Sequence, residues 1–328
     1  MPSIKDVAAE SGVSTATVSR VLSNKPYITP GVRDRVMAAV QKLGYRPNQV
    51  ARSLRSQQST TIGLIVSDVC NPFFTDVSRT VEDCAYNQGY SVFLCNSDGD
   101  EKKELKYLHE MYDKNVAGII ISPTKKTCDN FSRLDLKLPM VVYDRPIKGC
   151  PIDSITIDNV DAAYQLAQHL VASGYKHIAG IFIGEATGIE RREGFEKALK
   201  EAGFVQPTVV ITRSTISSGY DATKKLLTQT PRPDAIFATD NLVLEGSMQA
   251  IIELGLKIPT DVGLVGFDNV SWMTLVQPPL TVIRQPTDEI GRMAVDLIMR
   301  RIEDPERPPL QVILKSQLMI RGSSILPK

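Results

Sequence analysis

The sequence predicts an α/β protein: a small all-helical headpiece at the N-terminus, then a larger body of parallel sheets covered by helices. Three observations carry that expectation. Residues 4–22 hold two short apolar-periodic helices joined at a glycine, and from Thr61 onward strand-like runs alternate with amphipathic helical ones. The charge is also divided: residues 1–60 carry nine Lys/Arg against three Asp/Glu, a net of +6, while the whole chain is at +1 and the remainder therefore at −5. A basic module on an acidic body is the distribution expected when one end meets a polyanion and the other does not.

In the headpiece, Ile4, Val7 and Ala8 repeat at helical spacing, Gly12 breaks the run and Val13 keeps an apolar contact at the turn. Ser14 stands where an N-cap belongs, and Thr15 to Leu22 forms a second helix with Val18, Val21 and Leu22 inward. Thr15, Ala16, Thr17, Ser19 and Arg20 are left facing out. Short side chains let a backbone approach duplex DNA, hydroxyls bond phosphates, and one guanidinium can pair with guanine O6 and N7. A third helix runs from about Pro30 to Leu43, with Thr29 as a candidate cap and Gly44 as its stop. The 49–55 stretch has helical composition but is too short to be stable alone in water, so it orders only when something holds it.

The body begins with strand-like runs at 62–67, 90–96, 117–122, 139–144 and 154–158. A second series lies at 177–184, 208–213, 234–240 and 262–268, with helices at 73–88, 101–114, 160–173, 190–202, 217–229, 241–254 and 286–302. Two series of similar layout imply two like subdomains with a cleft between them. In such open sheets ligands bind beyond the carboxyl ends of the strands. Those ends carry Asn71 with Phe73 and Phe74, Asp144-Arg145, the segment Glu190–Phe195 with Arg191, Asp240-Asn241 and Asp268-Asn269. Carboxylates, amides, guanidinium groups and aromatic faces suit a polyhydroxylated ligand. Singly, each has a plainer role, Asn71, Asp240 and Asp268 as caps and the phenylalanines as core; it is their recurrence at five strand ends that points to a site.

Catalysis has no foothold in the sequence. There is no phosphate-binding loop of the Walker type, no G-x-G-x-x-G after a strand, no H-E-x-x-H and no G-x-S-x-G, and the three histidines (109, 169, 177) are scattered. No catalytic residue, metal site or cofactor is expected. No apolar run approaches a membrane span, and the N-terminus lacks a signal pattern, which places the chain in the cytoplasm. The five cysteines, with no C-x-x-C pair, read as small buried hydrophobes in a reducing compartment.

The runs I-K-D-V-A-x-x-S-G-V-S-x-A-T-V-S-R-V-L (4–22), G-Y-R-P-N-x-x-A-R-S-L (44–54) and I-G-L-I-V-S-D with N-P-F-F (62–74) resemble the LacI/GalR family of bacterial transcriptional regulators. So do R-x-E-G-F (191–195), F-A-T-D-N (237–241), V-G-F-D-N (265–269) and P-L-T-V-I-R-Q-P (279–286). The resemblance implies a helix-turn-helix headpiece (1–46), a hinge helix and linker (47–60), and a core (61–328) like periplasmic sugar-binding proteins. The core would divide into an N-subdomain (61–158 and 287–319) and a C-subdomain (160–285 and 320–328), with crossings near 159, 286 and 320. It also implies a homodimer on a near-palindromic operator, a dimer being favoured because no heptad tail follows. Ser14, Thr15, Ala16, Thr17, Ser19 and Arg20 would meet DNA, with Thr15, Ala16 and Arg20 reading bases. Leu54 would be the minor-groove wedge between Arg52 and Arg55. Asn71, Phe73, Phe74, Asp144, Arg145, Arg191, Asp240 and Asp268 would hold the effector, and Trp272 would stack on it or pack a subdomain. A repressor of a carbohydrate-utilisation operon is the function implied. A sugar acid, favoured by the paired arginines, stands level with a neutral monosaccharide as effector; a purine and a dual activator role stay open. A solute-binding protein of the same core fold is the contrasting reading, and the basic headpiece has no use in it.

Overall fold

The computed structural model describes residues 2–22, 26–45, 59–131, 138–147 and 149–327. They form two compact units, Met1–Ser59 and Thr60–Lys328.

In the first unit, α1 (Ile4–Ser11), α2 (Thr15–Leu22) and α3 (Pro30–Leu43) enclose a small core in which Val7, Val18 and Val36 are fully buried. The Asp6 carboxylate accepts from the Ser3 amide (2.7 Å) and hydroxyl (2.8 Å), satisfying donors that a helix start leaves orphaned. Gly12 takes φ 66°, the left-handed conformation that reverses the chain after α1. Ser14 then caps α2: its hydroxyl accepts from the Thr17 amide at 3.2 Å. The expected hinge helix, with Arg52, Leu54 and Arg55, lies outside the described residues.

In the second unit, among the described residues, two six-stranded sheets share one layout. The first holds β1 (Thr61–Val66), β2 (Ser91–Asn96), β3 (Gly118–Ile121), β4 (Met140–Tyr143), β5 (Asp153–Ile157) and β11 (Gln311–Leu314), in the order β11-β5-β4-β3-β1-β2. Its helices are α4 (Pro72–Asn87), α5 (Glu101–Asp113) and α6 (Lys125–Asn130), joined by α11 (Thr287–Glu303), which packs on α4 and on β3 to β5. The second sheet holds β6 (Ile178–Ile183), β7 (Thr208–Thr212), β8 (Ala235–Ala238), β9 (Gly263–Phe267), β10 (Thr281–Arg284) and β12 (Gln317–Met319), in the order β12-β10-β9-β8-β6-β7. It is covered by α7 (Asn159–Ala172), α8 (Ala186–Glu201), α9 (Ile216–Thr228) and α10 (Asn241–Glu253). Every pairing is parallel except β10 with β12, and the inner strands are covered on both faces and read as continuous apolar runs: β3, β4, β6, β8 and β9 are buried throughout, while β2, β7, β11 and β12 at the edges are not.

Three differences from the sequence reading follow from short or masked signals. The third passage between the sheets lies at Lys315-Ser316 rather than near 320, because Leu318 and Met319 pair antiparallel with Ile283 and Val282. Residues 317–319 therefore belong to the second sheet; a three-residue strand is too short to show alternation. Helix α8 starts at Ala186, four residues early, because Gly188 lets its first turn approach β6 so closely that a Cβ there would stand 2.2 Å from the Ile183 carbonyl oxygen. Cys70 is exposed rather than buried, while Cys95 in β2 is buried; all five thiols are free.

Candidate functional site

The carboxyl ends of the parallel strands from both sheets converge on a cleft of about 510 Å3, a volume suited to a small-molecule ligand. Asn71 comes to it as the N-cap of α4, where Pro72 at the first helical position fixes the backbone and the Asn71 side-chain oxygen accepts from the Phe73 amide at 3.0 Å. Phe73 and Phe74 follow in the first turn, edge to face at 5.1 Å; both line the cleft and are otherwise buried in the core.

Asp144 and Asp268 leave β4 and β9 in the left-handed region, with φ of 67° and 70°. Aspartate is among the few L-residues that enter this region readily, and both residues line the cleft. Asp144 accepts from the Ser122 hydroxyl at 3.2 Å and lies 3.4 Å from Arg145 Nε, while Arg145 Nη1 donates to the Pro123 carbonyl at 3.2 Å. Burial pushes the Asp144 carboxyl upward, and Arg145 and Arg191 hold it back. Asp268 accepts from Asn241 Nδ2 and from Gln285 Nε2, each at 2.6 Å.

Arg191 is the cation at the centre. It is 3% exposed; Nε donates to Asn159 Oδ1 at 2.8 Å, Nη1 to the Thr239 carbonyl at 2.7 Å, and the guanidinium lies 4.0 Å from the Phe267 ring centroid. Burial lowers its pKa, and Asp268, Asp144 and Asp240 raise it. Asp240 caps α10 by accepting from the Val243 amide at 2.8 Å, which leaves its second oxygen facing the cleft. Burial pushes this carboxyl up to about 6; the Val243 amide and the neighbouring Ser214 hydroxyl restrain the rise.

The two sheets are joined inside the cleft by one amide. Asn241 Nδ2 donates to Asn71 Oδ1 of the first subdomain at 2.8 Å and to Asp268 Oδ2 of the second at 2.6 Å.

Asn71, Phe73, Phe74, Asp144, Arg145, Arg191, Asp240 and Asp268 are thus brought together. Trp272 is not: it sits half-buried in a short 3-10 turn (Ser271–Thr274) and packs against the apolar cluster of the second sheet. Arg192 also falls away from the cleft, paired with Glu196 at 2.7 Å on the outer face of α8. Glu185, Thr187, Ser214 and Gln285 line the cleft although nothing in the sequence assigned them to it; Arg213, at the end of the strand-like run 208–213, lines it too, and Asn241 joins Asp268 there through its amide. Gln285 adjoins the 279–286 motif and Arg213 closes the 208–213 run, whereas Glu185 and Thr187 carry no such signal. A second cavity of about 390 Å3 lies against α4 and the start of α11 and shares Phe73, Asp268 and Gln285 with the cleft.

In the headpiece, Ser14, Thr15, Ala16 and Arg20 are exposed on α2, while Thr17 and Ser19 are half-buried. The small side chains lie at the helix N-terminus, where backbone amides suit a phosphate. Val18 and Val21 anchor the opposite side.

Comparisons with known proteins agree with both halves of this description. A family model described as bacterial regulatory proteins of the lacI family matches residues 3–48, and one described as periplasmic binding proteins and sugar binding domain of the LacI family matches residues 59–320. The HTH-type transcriptional repressor PurR of Haemophilus influenzae is 34% identical over 98% of both chains. Catabolite control protein A of Priestia megaterium is 38% identical over 90% of this chain and 91% of its own. The lac repressor dimer bound to operator and the anti-inducer ONPF superposes with a TM-score of 0.89 at 26% identity, over 99% of each chain. The chain belongs to the LacI family of bacterial regulatory proteins. It is a DNA-binding transcriptional repressor, not an enzyme.

Proposed function

We propose that this repressor controls a carbohydrate-utilisation operon in the cytoplasm, binding a near-palindromic operator as a homodimer and changing its operator affinity when a saccharide occupies the cleft. The observation that carries the reading is the Asn241 amide bridging Asn71 and Asp268. A polyhydroxylated ligand competes for these same groups, so its binding differs between arrangements of the two subdomains. An effector shifts an equilibrium only through such a difference. The match of residues 59–320 to a sugar-binding domain supports the ligand class.

The test is an operator-binding titration of the full chain with neutral sugars, sugar acids and purine bases, the last included because of the PurR relatives. A saccharide that alters operator affinity is the expected result; an effect of purines alone removes the carbohydrate assignment. Thr15, Ala16 and Arg20 are the proposed base readers. Arg20→Ala is expected to cost about 1–3 kcal/mol on the operator and to relax preference at one base pair. Equal weakening on every duplex, read by gel shift against a panel of single-base operator variants, would reassign Arg20 to a phosphate.

A further inference from the structure

Four helices begin at the cleft: α4, α8, α9 and α10. A helix N-terminus attracts anions, because its first amides lack partners and its dipole is positive there. A cleft with four such ends is a natural home for a carboxylate. In this chain three of the four ends are filled from within. Asn71 caps α4, the Thr215 hydroxyl accepts from the Ser218 amide at 3.2 Å to cap α9, and Asp240 caps α10. Glu185 occupies the cap position of α8 without making a side-chain cap bond.

Two of these four are carboxylates, and each has a buried oxygen with no protein donor in hydrogen-bond geometry, Glu185 Oε2 and Asp240 Oδ2, the Ser214 hydroxyl being the polar neighbour of Asp240. Asp240 is itself 4% exposed. An ionised carboxylate only accepts hydrogen bonds, so these oxygens call for donors on the ligand. The wider lining leans the same way, with six carboxylates against three guanidinium groups. Of those three, Arg191 already donates to Asn159 and Thr239, and Arg145 Nη1 donates to Pro123 while its Nε lies against the Asp144 carboxylate without a hydrogen bond; Arg213 is exposed at the mouth.

We propose that Glu185 and Asp240 form an acceptor-only wall that selects a sugar presenting hydroxyl or ammonium donors and rejects its carboxylate-bearing counterpart, with Glu185 as the specificity-determining residue. The inference rests on the saccharide reading above. A hydroxyl or an ammonium satisfies both orphaned oxygens; a carboxylate there adds a like charge in a desolvated site and supplies no donor.

The experiment is calorimetric titration of the full chain with matched triplets: glucose, glucosamine and glucuronate; galactose, galactosamine and galacturonate; ribose, 2-amino-2-deoxyribose and ribonate. Within any triplet that binds, the neutral or amino sugar is expected to bind at least tenfold tighter than the acid. A preference for the amino member assigns an ammonium to the wall, a preference for the neutral member a hydroxyl, and either supports the proposal. Glu185→Gln, which puts a donor at nearly the same place, is expected to shrink the ratio at least threefold, and Glu185→Ala to shrink it as well. An acid that binds as tightly as its neutral partner overturns the wall and makes Arg213 the counter-ion. A ratio unchanged in both variants overturns the role of Glu185. Failure of every triplet removes the saccharide reading and this inference with it.

Discussion

Arg191→Ala is expected to melt on the order of 10 °C below the parent protein and to lose its response to the effector. The guanidinium is the internal counter-ion of the cleft, acting on Asp144, Asp240 and Asp268 at once. Its removal also strips donors from Asn159 Oδ1 and the Thr239 carbonyl and uncovers the face of Phe267. Taking one partner from a buried charged network costs about 3–5 kcal/mol, since the charges left behind have no compensation. Asn159 stands where the chain first passes from one sheet to the other, so losing its tie to Arg191 also loosens that passage. Melting curves with and without effector separate the two effects. An equal melting temperature would mean that the network contributes no net stability, and an undiminished effector-induced shift would exclude Arg191 from the ligand's contacts. Below its melting temperature the variant is expected to retain operator binding, because the headpiece core of Val7, Val18 and Val36 is a separate unit.

What could be read in advance depended on how far each signal reached along the chain. The headpiece turn is written within a few residues: Gly12 supplies the left-handed step and Ser14 the cap. Buried parallel strands announce themselves as apolar runs, and their carboxyl ends then point to Asp144, Asp240 and Asp268 without any knowledge of sheet order. Glu185 gave no such sign, because Gly184-Glu185-Ala186-Thr187-Gly188 looks like a loop until the packing of Gly188 on Ile183 shows that the helix has already begun. Gln285 reaches the cleft only because β10 lies beside β9, a long-range fact of topology. Arg191 and Arg192 are adjacent arginines, and only Arg191 is expected at the effector. On a helix neighbouring side chains diverge by about 100°, which sends Arg191 inward and Arg192 out to Glu196. For Trp272 the nearness to Asp268 leaves ligand stacking and subdomain packing equally open, and the intervening turn directs it onto the sheet.

Asp240→Asn is expected to stabilise the protein while weakening its grip on the effector. In the folded protein the Asp240 carboxyl is raised from 3.8 to about 6, chiefly by burial, with Asp268 adding to the rise and the Val243 amide, the Ser214 hydroxyl and Arg191 opposing it. Between those two values the folded state binds more protons than the unfolded one, so stability falls as pH increases through the interval and the full penalty applies above about pH 6. Holding the carboxyl ionised against that rise costs about 3 kcal/mol. Asparagine carries no charge to desolvate and can still cap α10 through its own oxygen. The variant should therefore melt higher than the parent at pH 7.5 by up to about 3 kcal/mol, and the gap should narrow steadily toward pH 4, where the folded parent's Asp240 is protonated and its unfolded-state carboxyl, with the ordinary value of 3.8, is partly so. Effector affinity should move the other way, because the amide nitrogen places a donor where a ligand hydroxyl expects an acceptor. Such opposition between stability and function is common where a site holds a charge out of water. Melting curves for both proteins from pH 4 to pH 8, each followed by an effector titration at pH 7.5, decide the matter. A difference in melting that does not change with pH, or a variant less stable than the parent at pH 7.5, would mean that Arg191 already compensates the ionised Asp240 and that its carboxylate is not held in reserve for the ligand.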